Sequence, residues 1–348
     1  VPPVARLRGL TTAVPSHALP QEDVMAAAGH LFDRPPAELD RLMPAYSNAG
    51  IARRHSCVPL DWYFARHGWH ERTALFVEHA PALLADATER CLASAGMAWE
   101  QIDAIVTVSS TGIATPSLDA LLMERLPFRR DVMRLPVFGL GCAGGVLGFS
   151  RAAELARAAP GRNVLLLVVE LCALTFRRGD NSKSNVIATA LFGDGAAAAL
   201  ISCDGDGPAL GPAGEYTWPG TLDVMGWHVE EDGLGVLFSR DIPTLVRTQF
   251  RPAMLGFLAR HGIAPAEIER YVCHPGGAKV IEALEDALAL EPGSMTEARD
   301  ILRLYGNMSA PTALFVLERM LATRAEGPWL MTALGPGFTA AFQLLGSR

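Results

Sequence analysis

The chain has 348 residues, half of them hydrophobic and 19% charged, which suits a large buried core and excludes a disordered segment. Its net charge of −7 argues against nucleic acid as a bulk partner, because phosphate binding needs a basic face. The longest apolar run, Val164 to Val169, is strand-sized, far short of a membrane span.

The six cysteines (57, 91, 142, 172, 203 and 273) form no CxxC pair, and the nine histidines form no HExxH. With no leader pattern in the first residues, VPPVARLRGL, this reads as a cytoplasmic protein with reduced thiols and no metal site.

Along the chain, residues 1–50 read as a strand, a turn at Pro15 and Pro20, and helical pieces broken by Pro35, Pro36 and Pro44. A small basic cluster, Arg53-Arg54-His55, follows. The pattern predicts a long helix over Thr73 to Ala95, kinked at Pro81, then a strand at Ile105 to Val108. Leu135 to Phe138 reads as a strand, followed by a glycine-rich corner holding Cys142 and a helix with Val146, Phe149, Ala153 and Ala156 on one face. There the helix amides would favour a thiolate, and Gly139, Gly141, Gly144 and Gly145 would let a substrate approach closely. GRNVLLLVVEL reads as a buried strand, and ALFGDGAAAALI as two strands around a Gly193-Asp194-Gly195 turn. Residues 203–222, rich in Gly and Pro, read as the link between two halves, placed at 1–205 and 206–348.

The second half repeats the first. A shift of 166 positions carries Ile102 onto Ile268, Val106 onto Val272, Gly141-Cys142 onto Asn307-Met308, and Val164 onto Leu330, without a gap. Two copies of one α/β unit packed about a pseudo-twofold axis would bring equivalent strand ends and helix starts together. Cys142, His274 and Asn307 would then converge. A thiol beside an imidazole makes a nucleophile, and a carboxamide that cannot lose a proton can donate to an oxyanion. That trio suits acyl transfer or decarboxylation of a malonyl thioester, and a thioester hydrolase remains open.

A rival motif overlaps it. Gly139-Leu-Gly-Cys-Ala-Gly144 matches GxGxxG, and Glu170 ends the next strand where a dinucleotide fold places its ribose-binding acid. This pattern would suit an NAD-dependent oxidoreductase.

The motifs GCAGG (141–145), ALFGDGAAAA (190–199), HPGG (274–277), YGNMSAPT (305–312) and GPG (335–337) make the chain resemble the type III polyketide synthases, the chalcone synthase-like branch of the thiolase fold. The resemblance implies a five-layered αβαβα fold of two duplicated α/β halves. It implies Cys142 as acyl carrier, with His274 and Asn307 activating it and decarboxylating malonyl-CoA. By the same resemblance Phe192 is a gatekeeper. The second gatekeeper falls on Val236 by ungapped count from Asp241, with Phe238 nearby. Thr111, Cys172, Thr175 and Ser309 line the cavity, Thr115 reaches across a homodimer, and Gly335-Pro336-Gly337 forms a loop at the site. Arg53 and Arg54 match the stretch that binds coenzyme A phosphates. No cofactor is implied beyond coenzyme A thioesters. The stretches HSCVPLDWYFARHGW and MGWHVEEDGLGVLFSRDIP resemble bacterial alkylresorcinol and alkylpyrone synthases. They imply a fatty acyl starter, supplied as acyl-CoA or by an acyl-carrier donor, and extended by malonyl-CoA. The sister ketoacyl synthase III enzymes also use Cys, His and Asn, but their histidine motif resembles HQAN.

Overall fold

The computed structural model describes residues 3–323 and 327–346. Its strands are β1 (Arg6–Ala13), β2 (His17–Pro20), β3 (Arg53–Ser56), β4 (Ala104–Val108), β5 (Met133–Val137), β6 (Asn163–Leu171) and β7 (Asp194–Ser202), followed by β8 (Leu210–Thr217), β9 (Met225–Val229), β10 (Leu234–Phe238), β11 (Arg270–Cys273), β12 (Trp329–Gly335) and β13 (Thr339–Leu345).

One sheet has the order β1-β7-β6-β4-β5 and the other β8-β13-β12-β11. In both, the first two pairings are antiparallel and the third parallel. β4 and β11 start at residues 104 and 270, β6 and β12 at 163 and 329, 166 positions apart in both cases. Even the turns before β4 and β11 agree. In Trp99–Gln101 and Pro265–Glu267 the last side chain accepts from the backbone N–H of Ala98 or Ala264. The repeat read in the sequence is thus a repeat of structure. It lapses after β6, where a helix precedes β7, whereas β12 turns directly into β13.

β6 explains the layering. Alternate residues of a strand face opposite sides. Leu165, Leu167, Val169 and Leu171 pack under the helix Trp69–Ala95, while Val164, Leu166 and Val168 face the helix Gly144–Ala158, which packs on the helix Thr312–Leu321. Both faces are buried, so the strand reads as an unbroken apolar run. Beyond the central helices lies the second sheet, covered outside by the helix Arg251–Arg260, whose Phe257 stacks on Phe342 at 5.1 Å. The result is the five-layered αβαβα arrangement. Among the described residues, no helix is long and apolar enough to cross a membrane.

Several local expectations change. Ala190 and Leu191, expected in a strand before the glycine turn, end a helix, Lys183–Leu191. The Ser182 hydroxyl caps it by accepting from Asn185 N–H, and Val186 and Ala190 bury against the N-terminal helices. The helix Trp69–Ala95 starts earlier than expected and carries Pro81 within it. The link between halves is shorter, because 210–217 is the edge strand β8. Gly144 and Gly145 do not clear room for a substrate. A Cβ at Gly145 would lie 2.1 Å from the Ala310 carbonyl oxygen, and one at Gly144 2.8 Å from Val108 Cγ1. These glycines let the two central helices meet at their starts.

Candidate active site

Cys142 sits in a single 3-10 turn, Gly141–Ala143, that runs into the helix Gly144–Ala158. Gly141 takes φ +49°, and a Cβ there would strike Pro336 at 2.5 Å, so this corner requires glycine twice over. The Ser110 hydroxyl accepts from Gly139 N–H and Gly141 N–H, both at 3.2 Å, and holds the corner in place. Cys142 is 8% exposed, with Sγ 3.5 Å from Ser309 Oγ. Ser309 itself takes φ +58°, a left-handed backbone rare outside glycine and typical of functional sites.

His274 follows β11, the structural counterpart of β4, and its backbone N–H donates to Thr332 carbonyl at 2.9 Å. The ring is buried and neither nitrogen has a hydrogen-bond partner among the described residues. Asn307 is held on all sides. Its Oδ1 accepts from Ser309 N–H at 2.8 Å, and its Nδ2 donates to Gly276 carbonyl at 3.1 Å. Its backbone donates to Leu191 carbonyl and accepts from Gly193 N–H.

The three side chains line one apolar cavity of about 410 Å³ with Met225 and Phe238. A second cavity shares Cys142, Met225 and Phe238 and adds Phe192, Trp227, Val236, Ser309 and Pro336. The convergence expected from the repeat therefore occurs. The hairpin β9–β10 supplies one wall: Val236 faces Trp227, and Phe238 faces Met225. The Phe238 ring lies edge to face with the Phe192 ring at 6.5 Å, and Val236 lines the same cavity. Past Phe192 and Cys172 lies a third cavity, walled by Leu19, Val24, Leu31, Leu60 and Phe176, with Arg54, Thr175 and Asn185 also facing it.

The electrostatics differ from the sequence expectation. Burial pushes the Cys142 thiol up to about 11, with Glu170 adding to the rise and the Ser309 and Asn307 contacts opposing it. Burial also pulls His274 down to about 4. Both shifts favour the uncharged forms, the thiol and the neutral imidazole, against the pull of the helix start. One proton passing from sulfur to ring creates both charges together, which leaves the cavity without net charge.

Glu170 also changes role. It is fully buried; its Oε2 accepts from Ser110 N–H at 2.9 Å and from the Thr111 hydroxyl at 2.7 Å, so no ribose reaches it. The dinucleotide reading of GxGxxG falls with it. Thr111 is bound into this network, accepting in turn from Leu171 N–H, and lies outside the cavities that contain Cys142.

Burial raises Glu170 to about 7 from 4.5. Between those values the folded state holds a proton that the unfolded state has lost, so this group's contribution to stability falls as pH rises. Glu170→Gln is expected to remove that fall, worth about 3 kcal/mol between pH 5 and 8. Urea unfolding of both proteins at the two pH values checks it. His274 acts oppositely, adding stability as pH rises through its window of about 4 to 6.5.

Other positions are less central. Thr115 is exposed, Gly335 packs on Ala143, and Gly337 turns the chain at φ +118°. Arg53 is exposed. Arg54 is not: it is 3% exposed and hydrogen-bonded inside the protein, which removes it from coenzyme A binding. Met225 and Trp227 escaped the sequence reading, although their alternate spacing on a strand beside the Phe238 strand would have placed both on one face.

Two family models cover most of the chain: chalcone and stilbene synthases, N-terminal domain, over 65–205, and chalcone and stilbene synthases, C-terminal domain, over 211–346. A 1,3,6,8-tetrahydroxynaphthalene synthase of Streptomyces peucetius subsp. caesius is 38% identical, covering 96% of this chain and 91% of its own length. The alpha-pyrone synthesis polyketide synthase-like Pks18 of Mycobacterium tuberculosis is 28% identical, over 97% and 89%. The crystal structure of the Streptomyces coelicolor tetrahydroxynaphthalene synthase, a bacterial type III polyketide synthase, superposes with a TM-score of 0.91 at 27% identity, over 99% of each chain. The chain belongs to the chalcone and stilbene synthase family and is a type III polyketide synthase, an acyltransferase.

Proposed function

We propose that this synthase loads a fatty acyl starter on Cys142, extends it with malonyl-CoA, and closes the product to an alkylpyrone or alkylresorcinol. The observation that carries the chemistry is the meeting of Cys142, His274 and Asn307 in one apolar cavity. His274 takes the thiol proton, and the thiolate attacks the starter thioester. The C–S bond to coenzyme A breaks, and the leaving thiolate recovers the proton. Malonyl thioester then loses CO₂, and the electron pair of the broken C–C bond becomes an enolate. Its oxygen accepts from Asn307 Nδ2–H and from the imidazole N–H. The enolate carbon attacks the acyl carbonyl on Cys142, and sulfur leaves as thiolate. These steps call for no group beyond the two thioesters.

Phe192 and Phe238 act as the gate, because their rings meet between the cavities. The apolar cavity past Cys172 takes the starter's alkyl chain, and Arg53 remains for coenzyme A phosphate. β5 is an edge strand with exposed Met133 and Leu135, and Phe138 beside it is 60% exposed. Such an edge supports a homodimer, with Thr115 reaching the partner. Six free cysteines support a cytoplasmic setting.

A second reading is a naphthalene product made from malonyl units alone, favoured by the 38% identity to the S. peucetius enzyme. Incubation with malonyl-CoA alone and with acyl-CoAs of increasing length, read by mass spectrometry, separates the two. Long-chain pyrones or resorcinols are expected. A coloured naphthalene product from malonyl-CoA alone, with no acyl-CoA consumed, supports the second reading. An acyl-carrier thioester in the same panel tests that donor.

A further inference from the structure

We infer that Arg54 is a positioning residue that holds the Phe192 gate and Asn307 in register with each other. This rests on the proposed roles of those two residues.

Arg54 lies on β3 and its side chain points inward. The guanidinium donates to three backbone carbonyls at the end of the helix Lys183–Leu191: Thr189 at 2.5 Å, Ala190 at 2.9 Å and Phe192 at 3.1 Å. It also donates to Gln21 Oε1. The last carbonyls of a helix have no partner within it, so this fork closes the helix end and fixes where Phe192 leaves it. No carboxylate forms an ion pair with Arg54 among the described residues. Burial pulls its pKa down to about 10, still charged at neutral pH; Tyr63, Tyr46 and Asp194 oppose that fall through space, and the hydrogen bonds to the charge come from carbonyl oxygens.

The same segment pairs with the catalytic strand end. Phe192 and Asn307 form a parallel bridge, with Asn307 N–H donating to Leu191 carbonyl at 2.8 Å and Gly193 N–H to Asn307 carbonyl at 3.0 Å. Arg54 also supports this pair from beneath. A Cβ at Gly193 would lie 3.2 Å from Arg54 Cβ, and one at Gly306 3.5 Å from it. The two glycines flanking the bridge thus rest on the Arg54 stem, while its head holds the helix end. Lysine fits the stem but cannot hold three carbonyls and an amide with one planar fork.

The experiment compares wild type, Arg54→Lys and Asn307→Ala in three assays: intact-mass loading of Cys142 from acyl-CoA, malonyl-CoA decarboxylation, and thermal unfolding. For Arg54→Lys, Cys142 loading is expected to stay within threefold, while decarboxylation kcat falls at least tenfold and KM changes less than threefold. A raised KM for both thioesters at unchanged kcat overturns the inference, since that marks a phosphate contact. Equal losses in every assay, matching a lost folded fraction, also overturn it. Should Arg54→Lys fail to fold, Gln21→Leu, which removes one acceptor from the fork, is expected to lower decarboxylation kcat two- to fivefold at constant KM; no change overturns the inference. If Asn307→Ala itself keeps decarboxylation, the functional reading fails; if only Arg54→Lys keeps it, the positioning role alone fails.

Discussion

Replacing Cys142 with alanine is expected to abolish chain extension, a loss on the order of 10⁴-fold or more, because the covalent route has no other nucleophile at the corner. Cys172 lines the second cavity with Cys142, but it does not line the cavity that holds His274 and Asn307, and burial together with Glu170 and Asp194 raises its thiol well above the ordinary range. The variant should fold: a methyl group is smaller than the side chain it replaces, and the one hydrogen bond lost is the long 3.5 Å contact from sulfur to Ser309 Oγ. Product mass spectrometry, with intact-protein mass after acyl-CoA treatment, checks the prediction. Wild type should gain one acyl group, and Cys142→Ala none. Condensation at wild-type rate by the variant would remove the thiol from the mechanism. Cys142→Gln is expected to keep malonyl decarboxylation, since it leaves His274 and Asn307 in place and adds a carboxamide where an acyl carbonyl would lie.

Asn307→Asp carries the second largest effect, a fall in malonyl-CoA decarboxylation of about 10²- to 10³-fold. The substitution keeps size and keeps the acceptor for Ser309 N–H. It replaces the donor to the Gly276 carbonyl with an oxygen that repels it, and it sets a negative charge where the enolate must form. Loading of Cys142 should suffer less, because attack on the starter does not require a malonyl-derived enolate. Decarboxylation followed as release of CO₂ or of acetyl-CoA, beside intact-mass loading, separates the two steps. Equal decarboxylation by the variant and wild type would show that the amide does not stabilise the enolate.

Much of the site was legible from local pattern. The strand–glycine–Cys142–helix corner follows from hydrophobic period and glycine placement, both short-range properties. The repeat at 166 residues was legible because duplicated elements keep their lengths, and it brought His274 and Asn307 to Cys142 without any contact being known. Ala190-Leu191-Phe192, read as a strand before the glycine turn, is instead the end of the helix Lys183–Leu191, because three apolar residues are too short a window to tell the two apart. Its Ser182 cap and its packing on the N-terminal helices decide the matter.

The sequence by itself determined the duplicated α/β fold and the meeting of Cys142, His274 and Asn307, which rest on spacing along the chain, and the family, which rests on its motifs. Tertiary structure alone decided what those spacings leave equal. Val236 and Phe238 share one face of β10 by the two-residue period of a strand, and only the position of the hairpin sets the Phe238 ring edge to face with Phe192. Arg53 and Arg54 are neighbours of one chemistry on opposite faces of β3, and only burial sends one outward and the other beneath Asn307. The charge state of Cys142 and His274 likewise follows from how much water the closed core excludes. Burial is summed over side chains far apart in sequence, so no local pattern encodes it.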